Sequence, residues 1–455
     1  MFGHFTQAVQ RRLASLNLTI SDQQVREFSW LAGGQLVSLL LSLVTVKLVT
    51  SIGPAGYGKF ILATSIGGML SLALFGPLEQ GYIRMYFYYG QDGKTRKIFF
   101  DSLLRVLSIS SGVLLFCGAV FILIGHTLYG LEVPFHAAAA IMILIAVLNI
   151  PINGMMNAMR MRKEGSMIQV GERLVIIVAL GGTYLLWSLD ATGVVLCMTF
   201  ATSLSLIVRY VIYQNMSTKG SQTGQTSPPP DANAIRKEIY SRIAQYVQPF
   251  IAWGVVSWVQ SNGERWVIDS VMTKADVGRY GLAFSLVNSS AVMLVNVLGQ
   301  FVTPIIFAKY SSPDPAEQEK GKSLIRLNTW VTLMIFVAFA VILYFAGEQI
   351  IHLVSTRAFA MDGTVLFLLT MSLGMFYCGQ AMTNIGLALN KPETYLRPKI
   401  IAAVLSAPMF YAGCTWNGVA GVVTAMVAVH SVYMLLIYNA NRKLVLQQPE
   451  IGAPA

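Results

Sequence analysis

What most constrains this chain is a rhythm of apolar runs. Stretches of about 20 mostly apolar residues are long enough to cross a bilayer core as a helix. They recur near 30–50, 60–83, 102–125, 136–158, 168–188 and 192–213, and again near 245–267, 279–305, 326–346, 363–386, 397–415 and 418–439. Lipid offers backbone groups no water, and helices of this length satisfy their own hydrogen bonds. Composition agrees, with 55% hydrophobic and only 12% charged residues, against about 25% charged in soluble domains. The expected fold class is an all-α integral membrane protein with twelve transmembrane helices.

The runs fall into two sets of six. Between them residues 214–236 read "QNMSTKGSQTGQTSPPPDANAIR", a composition that builds no core and behaves as a flexible linker. The expected organisation is an N-terminal segment 1–28, a six-helix lobe 29–213, a linker 214–240, a second lobe 241–440 and a tail 441–455. The two lobes also share a phrase. "IGPAGYGKFILATS" at 52–65 and "MTKADVGRYGLAFS" at 272–285 lie 220 positions apart, pairing Ala55 with Ala275, Gly58 with Gly278, Lys59 with Arg279 and Phe60 with Tyr280. "TGVVLCM" from Thr192 and "AGVVTAM" from Ala420 echo each other more weakly. Each strong copy is the turn between the first two helices of a half. A parallel repeat of this kind relates two lobes by a pseudo-twofold along the membrane normal and suits alternating access.

Charge gives the orientation. The net charge is +11; in a membrane chain that balance collects in cytoplasmic loops rather than marking a nucleic-acid binder. The side of the termini and even-numbered loops, with the span ends that face it, carries 25 of the 32 Lys and Arg residues. The odd loops hold Lys59, Lys274, Arg279 and Arg357, and Lys47, Arg105 and Arg265 fall in or beside spans. Both termini are therefore expected in the cytoplasm, with the protein in the cytoplasmic membrane. The first 28 residues lack the apolar core of a cleavable signal.

The segment Phe28–Arg84 resembles the start of the polysaccharide-biosynthesis (Wzx-type) flippases, a family whose superfamily also holds the multidrug and toxin extrusion transporters and the lipid II flippase. "SIGPAGYGKF" is similar to the family's first-loop pattern L-G-x-x-x-[YF]-G-x-[YF], and "ERWVIDSVMTKADVGRYGLAFSL" to its second-lobe pattern. "GVAGVVTAM" resembles the small-residue start of its last helices. Departures are Ile52-Gly53 for Leu-Gly, Met272-Thr273 in the second loop, and Glu264 where Asp is common. The resemblance implies export of a lipid-linked oligosaccharide intermediate. Implied partners are that substrate, anionic membrane lipids, and a polysaccharide polymerase or glycosyltransferases; nucleic acid is not among them.

Polar residues at i, i+3, i+4 and i+7 share a helix face, and in membranes such faces mark either a lumen or a packing seam. Gln35, Ser38 and Ser42 form one stripe, Ser257, Gln260 and Ser261 a second, Asn296 and Gln300 part of a third. These are the candidate substrate-contacting residues. Arg265 and Arg84 join them, because guanidinium matches phosphate oxygens and the implied cargo carries a diphosphate. Glu79 and Glu264 are the candidates for coupling to a proton or sodium ion. The rival reading for each charge is snorkelling to headgroups or local pairing.

Enzyme chemistry finds no support. "GQDGKT" at 90–95 places Tyr88 where a phosphate-binding loop needs its first Gly, and "KGKS" at 320–323 fails at Ala316. The five histidines show no metal spacing, and Cys117, Cys197, Cys378 and Cys414 lie in apolar runs where packing is their expected role. No cofactor is expected. A multidrug–cation antiporter of the same architecture, and a non-transporting partner in a polysaccharide assembly complex, are the alternatives; the first calls for an acidic lumen.

Overall fold

A computed structural model describes residues 22–91, 95–219, 231–310, 314–389 and 391–446, so most of the N-terminal segment, most of the linker and the end of the tail lie outside the described residues. The described chain is helical throughout. The helices are α1 (Asp22–Thr50), α2 (Gly53–Gly90), α3 (Arg96–Tyr129), α4 (Val133–Ala158), α5 (Arg162–Leu186), α6 (Ala191–Lys219) and α7 (Ala232–Val271). There follow α8 (Lys274–Val287, a π turn at Asn288–Val292, then Met293–Tyr310), α9 (Pro315–Val354) and α10 (Gly363–Met382). The last helix, Leu396–Leu446, breaks where Asn417 and Gly418 leave helical geometry, Gly418 with φ of 55°, and so forms α11 and α12.

Ten helices among the described residues are long and apolar enough to cross a membrane. The tenth holds both α11 and α12, and α7 supplies the remaining span, which gives the twelve expected. α7 misses the apolar measure because Ser257, Gln260, Ser261, Asn262, Glu264 and Arg265 interrupt it. The long helix that falls short in mean hydropathy is thus the one richest in candidate site residues.

Local chemistry sets the helix starts. Pro54, Pro134 and Pro315 occupy first-turn positions, where a missing N–H costs nothing. α8 opens on a capping box in which Thr273 and Asp276 exchange side-chain and backbone hydrogen bonds. Asp314 and Asp362 cap α9 and α10.

The chain forms two compact units. The first comprises Met1–Val49 and Ala73–Ile251, the second Thr50–Leu72 and Ala252–Ala455. The chain leaves the first unit at the end of α1, re-enters it within α2 and leaves it again within α7, and the last two of these passages coincide with helix irregularities. Leu72 and Ala73 lie in a π turn, Ser71–Phe75, followed by Pro77. Ile251 follows Pro249, a proline inside α7. Both features release a backbone hydrogen bond and allow a helix to change direction.

In the first unit α4 packs against α6, α3 and the later part of α2, and α5 packs on α6. Tyr82, Phe99, Phe100, Leu103, Met155 and Tyr213 fill its core. In the second unit α10 lies between α9 and the α11–α12 hairpin, while the first half of α2 packs along α8. That last contact joins the two copies of the repeated phrase. A Cβ on Gly58 would strike the carbonyl oxygen of Lys274, and a Cβ on Gly278 would strike that of Pro54. The cysteines divide: Cys378 and Cys414 are buried, Cys197 is half-buried and Cys117 is exposed, so packing accounts for only some of them.

Candidate functional site

The second unit concentrates the polar chemistry on α7. Successive turns of one face present Trp253, Ser257, Gln260 and Glu264. Glu264 is fully buried, and its Oε1 accepts a hydrogen bond from the Tyr280 hydroxyl at 3.2 Å. Arg265, also buried, brings Nε to 3.6 Å from the same oxygen, and its guanidinium lies over the Phe284 ring at 4.5 Å. Oε2 of Glu264 has no hydrogen-bond partner among the described residues. The acid and the cation are therefore a local pair held from α8, with one carboxylate oxygen left over.

Neighbouring aromatics lock this end of the helix. Trp258 Nε1 donates to the Ser65 carbonyl at 2.7 Å, and Trp266 Nε1 donates to the Ser65 hydroxyl at 3.0 Å. The Tyr57 hydroxyl lies 3.4 Å from Ser285 Oγ. One and a half turns back along α7, Ser257 Oγ gives its proton to the Trp253 carbonyl at 2.8 Å and accepts from Lys399 Nζ at 3.0 Å. Ser261 donates to the Ser257 carbonyl. Gln260 is 1% exposed, and neither end of its amide has a partner among the described residues. On α8 Asn296 is exposed; the side chain of Gln300 lies outside the described residues.

In the first unit the candidates are more dispersed. Ser38 is buried with a hydroxyl that has no partner among the described residues, while Ser42 spends its proton on the Leu39 carbonyl. Gln35 is half-buried, next to Gly34, which packs on Ser166 of α5. Glu79 lies against Gly154 of α4, so closely that a Cβ there would overlap its carboxylate arm. Arg84 is exposed, with its guanidinium 5.1 Å from the centre of the Tyr246 ring.

These helices and their order have solved counterparts. A multidrug resistance transporter of the MATE family, in the MOP superfamily and inward-facing, superposes with a TM-score of 0.73 at 14% identity, covering 91% of this chain and 96% of that one. The lipid II flippase MurJ, inward closed, gives 0.63 at 12% identity over 92% and 90%. A MOP-superfamily transporter from Pyrococcus furiosus, for which reverse polarity of the binding pocket suggests a different function, gives 0.62 at 15% over 92% and 95%. This is a MATE-type fold. No protein-family model and no curated protein matches the chain by sequence.

Within the MATE-type fold two buried cations form clusters outside the candidate stripes. Lys399, at the start of the run 397–415 and on the side that carries most of the positive charge, is buried against Trp253 and Ser257. Arg209, near the end of the run 192–213, is buried in the first unit. It donates to Asn153 Oδ1 at 2.5 Å and to Ser205 Oγ at 3.2 Å, with Glu172 at 4.0 Å. Thr202 reaches the other oxygen of Glu172 at 3.4 Å, which links α4, α5 and α6 through polar side chains. A usable signal was present for Arg209: Asn149 and Asn153 stand four apart on α4, facing a helix that carries Thr202, Ser205 and Arg209. Nothing comparable marks Lys399.

Proposed function

We propose that this protein is a transporter of the cytoplasmic membrane that moves a lipid-linked saccharide from the inner to the outer leaflet by alternating access. The observation that carries the choice of cargo is the buried Lys399, whose ammonium has no carboxylate partner among the described residues. A membrane interior retains an uncompensated cation at considerable cost, and an anionic cargo offsets that cost. Arg84, held over Tyr246, has no acidic partner among the described residues either and adds to the positive balance. A multidrug–cation antiporter calls for the opposite sign.

Arg265 and the α7 stripe contact the cargo in this reading. Glu79, which has no hydrogen-bond or ion-pair partner among the described residues and packs on Gly154, is the better placed of the two acids for coupling to an ion. Glu264 is occupied by Arg265 and Tyr280. Both termini face the cytoplasm, where the basic loops meet anionic lipid, and a polymerase or glycosyltransferase supplies or receives the cargo. The test is deletion of the gene. Accumulation of lipid-linked oligosaccharide on the cytoplasmic side is expected; unchanged leaflet distribution together with sensitivity to cationic drugs would select the antiporter instead.

A further inference from the structure

Lys399 stands in the first turn of the helix that begins at Leu396, and only 7% of it is exposed. An ammonium has three N–H donors. One goes to Ser257 Oγ at 3.0 Å, and the group lies over the Trp253 ring at 4.0 Å. Because the Ser257 proton is committed to the Trp253 carbonyl, that hydroxyl meets the lysine purely as an acceptor. One N–H is left without a partner among the described residues.

Gln260 is the second, independent observation. It follows Ser257 by three residues, which places it on the adjoining position of the same face, about 4.5 Å further along the axis. Its amide is buried, with both Nε2 and Oε1 unpartnered among the described residues. Buried amides are nearly always satisfied, and one orphaned at both ends, a turn along α7 from the serine that holds an underused ammonium, describes the complement of something absent. The open donors, one from lysine and two from the amide, suit an oxyanion. The open amide oxygen suits a hydroxyl beside it.

We propose that Lys399 and Gln260, with Ser257 and Trp253 fixing the ammonium, form a binding site in the second unit for an acidic sugar: a phosphate or carboxylate oxyanion carried next to a free hydroxyl. The proposal rests on the transporter reading for its cargo and names the charged saccharide portion of it. Its binding chemistry is measurable without transport.

The experiment is calorimetric titration of the purified full-length protein in detergent with glucose 1-phosphate, glucuronate and glucose. Saturable binding of at least one of the charged sugars and none of glucose is expected; preference for the first assigns a phosphate, for the second a carboxylate. Lys399→Met raises Kd by about tenfold or more, the scale of a charged hydrogen bond. Gln260→Leu weakens binding of the same ligand, and Lys399→Arg keeps most of it. Absence of saturable binding to wild type, equal affinity for glucose, or unchanged affinity in both Lys399→Met and Gln260→Leu overturns the site. Should Lys399→Met fail to fold, Gln260→Leu and Lys399→Arg carry the decision. Flipping of a lipid-linked saccharide in vesicles, measured in parallel, separates the two readings. Flipping without Lys399-dependent binding sinks the site and leaves the transporter; Lys399-dependent binding without flipping does the reverse.

Discussion

Gly58 and Gly278 occupy equivalent places in the two copies of the repeat and lie against each other, each beneath a carbonyl oxygen of the other helix, Lys274 over Gly58 and Pro54 over Gly278. Those carbonyls are themselves 220 positions apart, so the contact is reciprocal: it obeys the same twofold that the sequence repeat implies. The glycines are needed for proximity, since any Cβ meets backbone rather than a movable side chain. Gly58→Ala and Gly278→Ala should each destabilise the protein by about 1–3 kcal/mol, the scale of overpacking, and by similar amounts. Gly68→Ala, on the same helix with open space around it, should be neutral or slightly stabilising. Thermal unfolding in detergent reads all three, and a tolerated Gly58→Ala counts against the close crossing.

Arg265 and Arg84 were equivalent candidates by sequence and are not equivalent in the structure. Arg265 pairs with a fully buried carboxylate; Arg84 is exposed over an aromatic ring. Arg265→Ala leaves Glu264 uncompensated and should cost about 3 kcal/mol or more. The double change Glu264→Gln with Arg265→Met should recover most of that stability while transport stays impaired. Arg84→Ala should leave unfolding within about 0.5 kcal/mol and still reduce export of surface polysaccharide. Full export by Arg84→Ala protein removes that residue from the cargo path.

The contrast shows which features were readable. Span positions follow from local hydropathy, and all twelve were legible as apolar runs, α7 included although its polar turns lower its mean hydropathy. Burial of single charges is set by partners remote in the chain. Lys399 meets Ser257 across 142 positions and Arg209 meets Asn153 across 56, and both cations sit near the ends of apolar runs, where charge counting assigns them to the cytoplasmic side. The changes of unit inside α2 and α7 were hidden for another reason. A π turn leaves hydropathy unchanged, and a proline marks a bend without saying what lies on either side.

The network around Arg209 binds α4, α5 and α6 through Asn153, Ser205 and Glu172. Arg209→Met removes the donor and leaves the amide oxygen of Asn153 unmatched. A loss of about 2 kcal/mol or more is expected from one unsatisfied buried group beside a weakened ion pair. Arg209→Lys should recover little, because an ammonium does not present the forked donors that reach Asn153 and Ser205 together. Unfolding midpoints of the two variants within experimental error of wild type would show that the network is not stabilising.

Asp362 offers a pH readout outside the spans. It precedes α10 and accepts from the Thr364 backbone N–H at 2.5 Å. Hydrogen bonds from the Thr364 side chain and backbone hold its carboxyl below the usual carboxylate range. The folded state thus binds this proton less readily than the unfolded chain does. The cap's pH-linked contribution is present above the unfolded value of about 4 and is lost as pH falls through the lower folded value. Asp362→Asn keeps an oxygen acceptor for the cap but has no proton to bind. The difference in unfolding midpoint between wild type and Asp362→Asn should therefore be constant from pH 7 to 5 and shrink below about pH 4. Because the group is exposed, the change is small and is best followed as the difference between the two proteins across one pH series. A difference that stays flat down to pH 3 would mean that Asp362 titrates alike in the folded and unfolded chain.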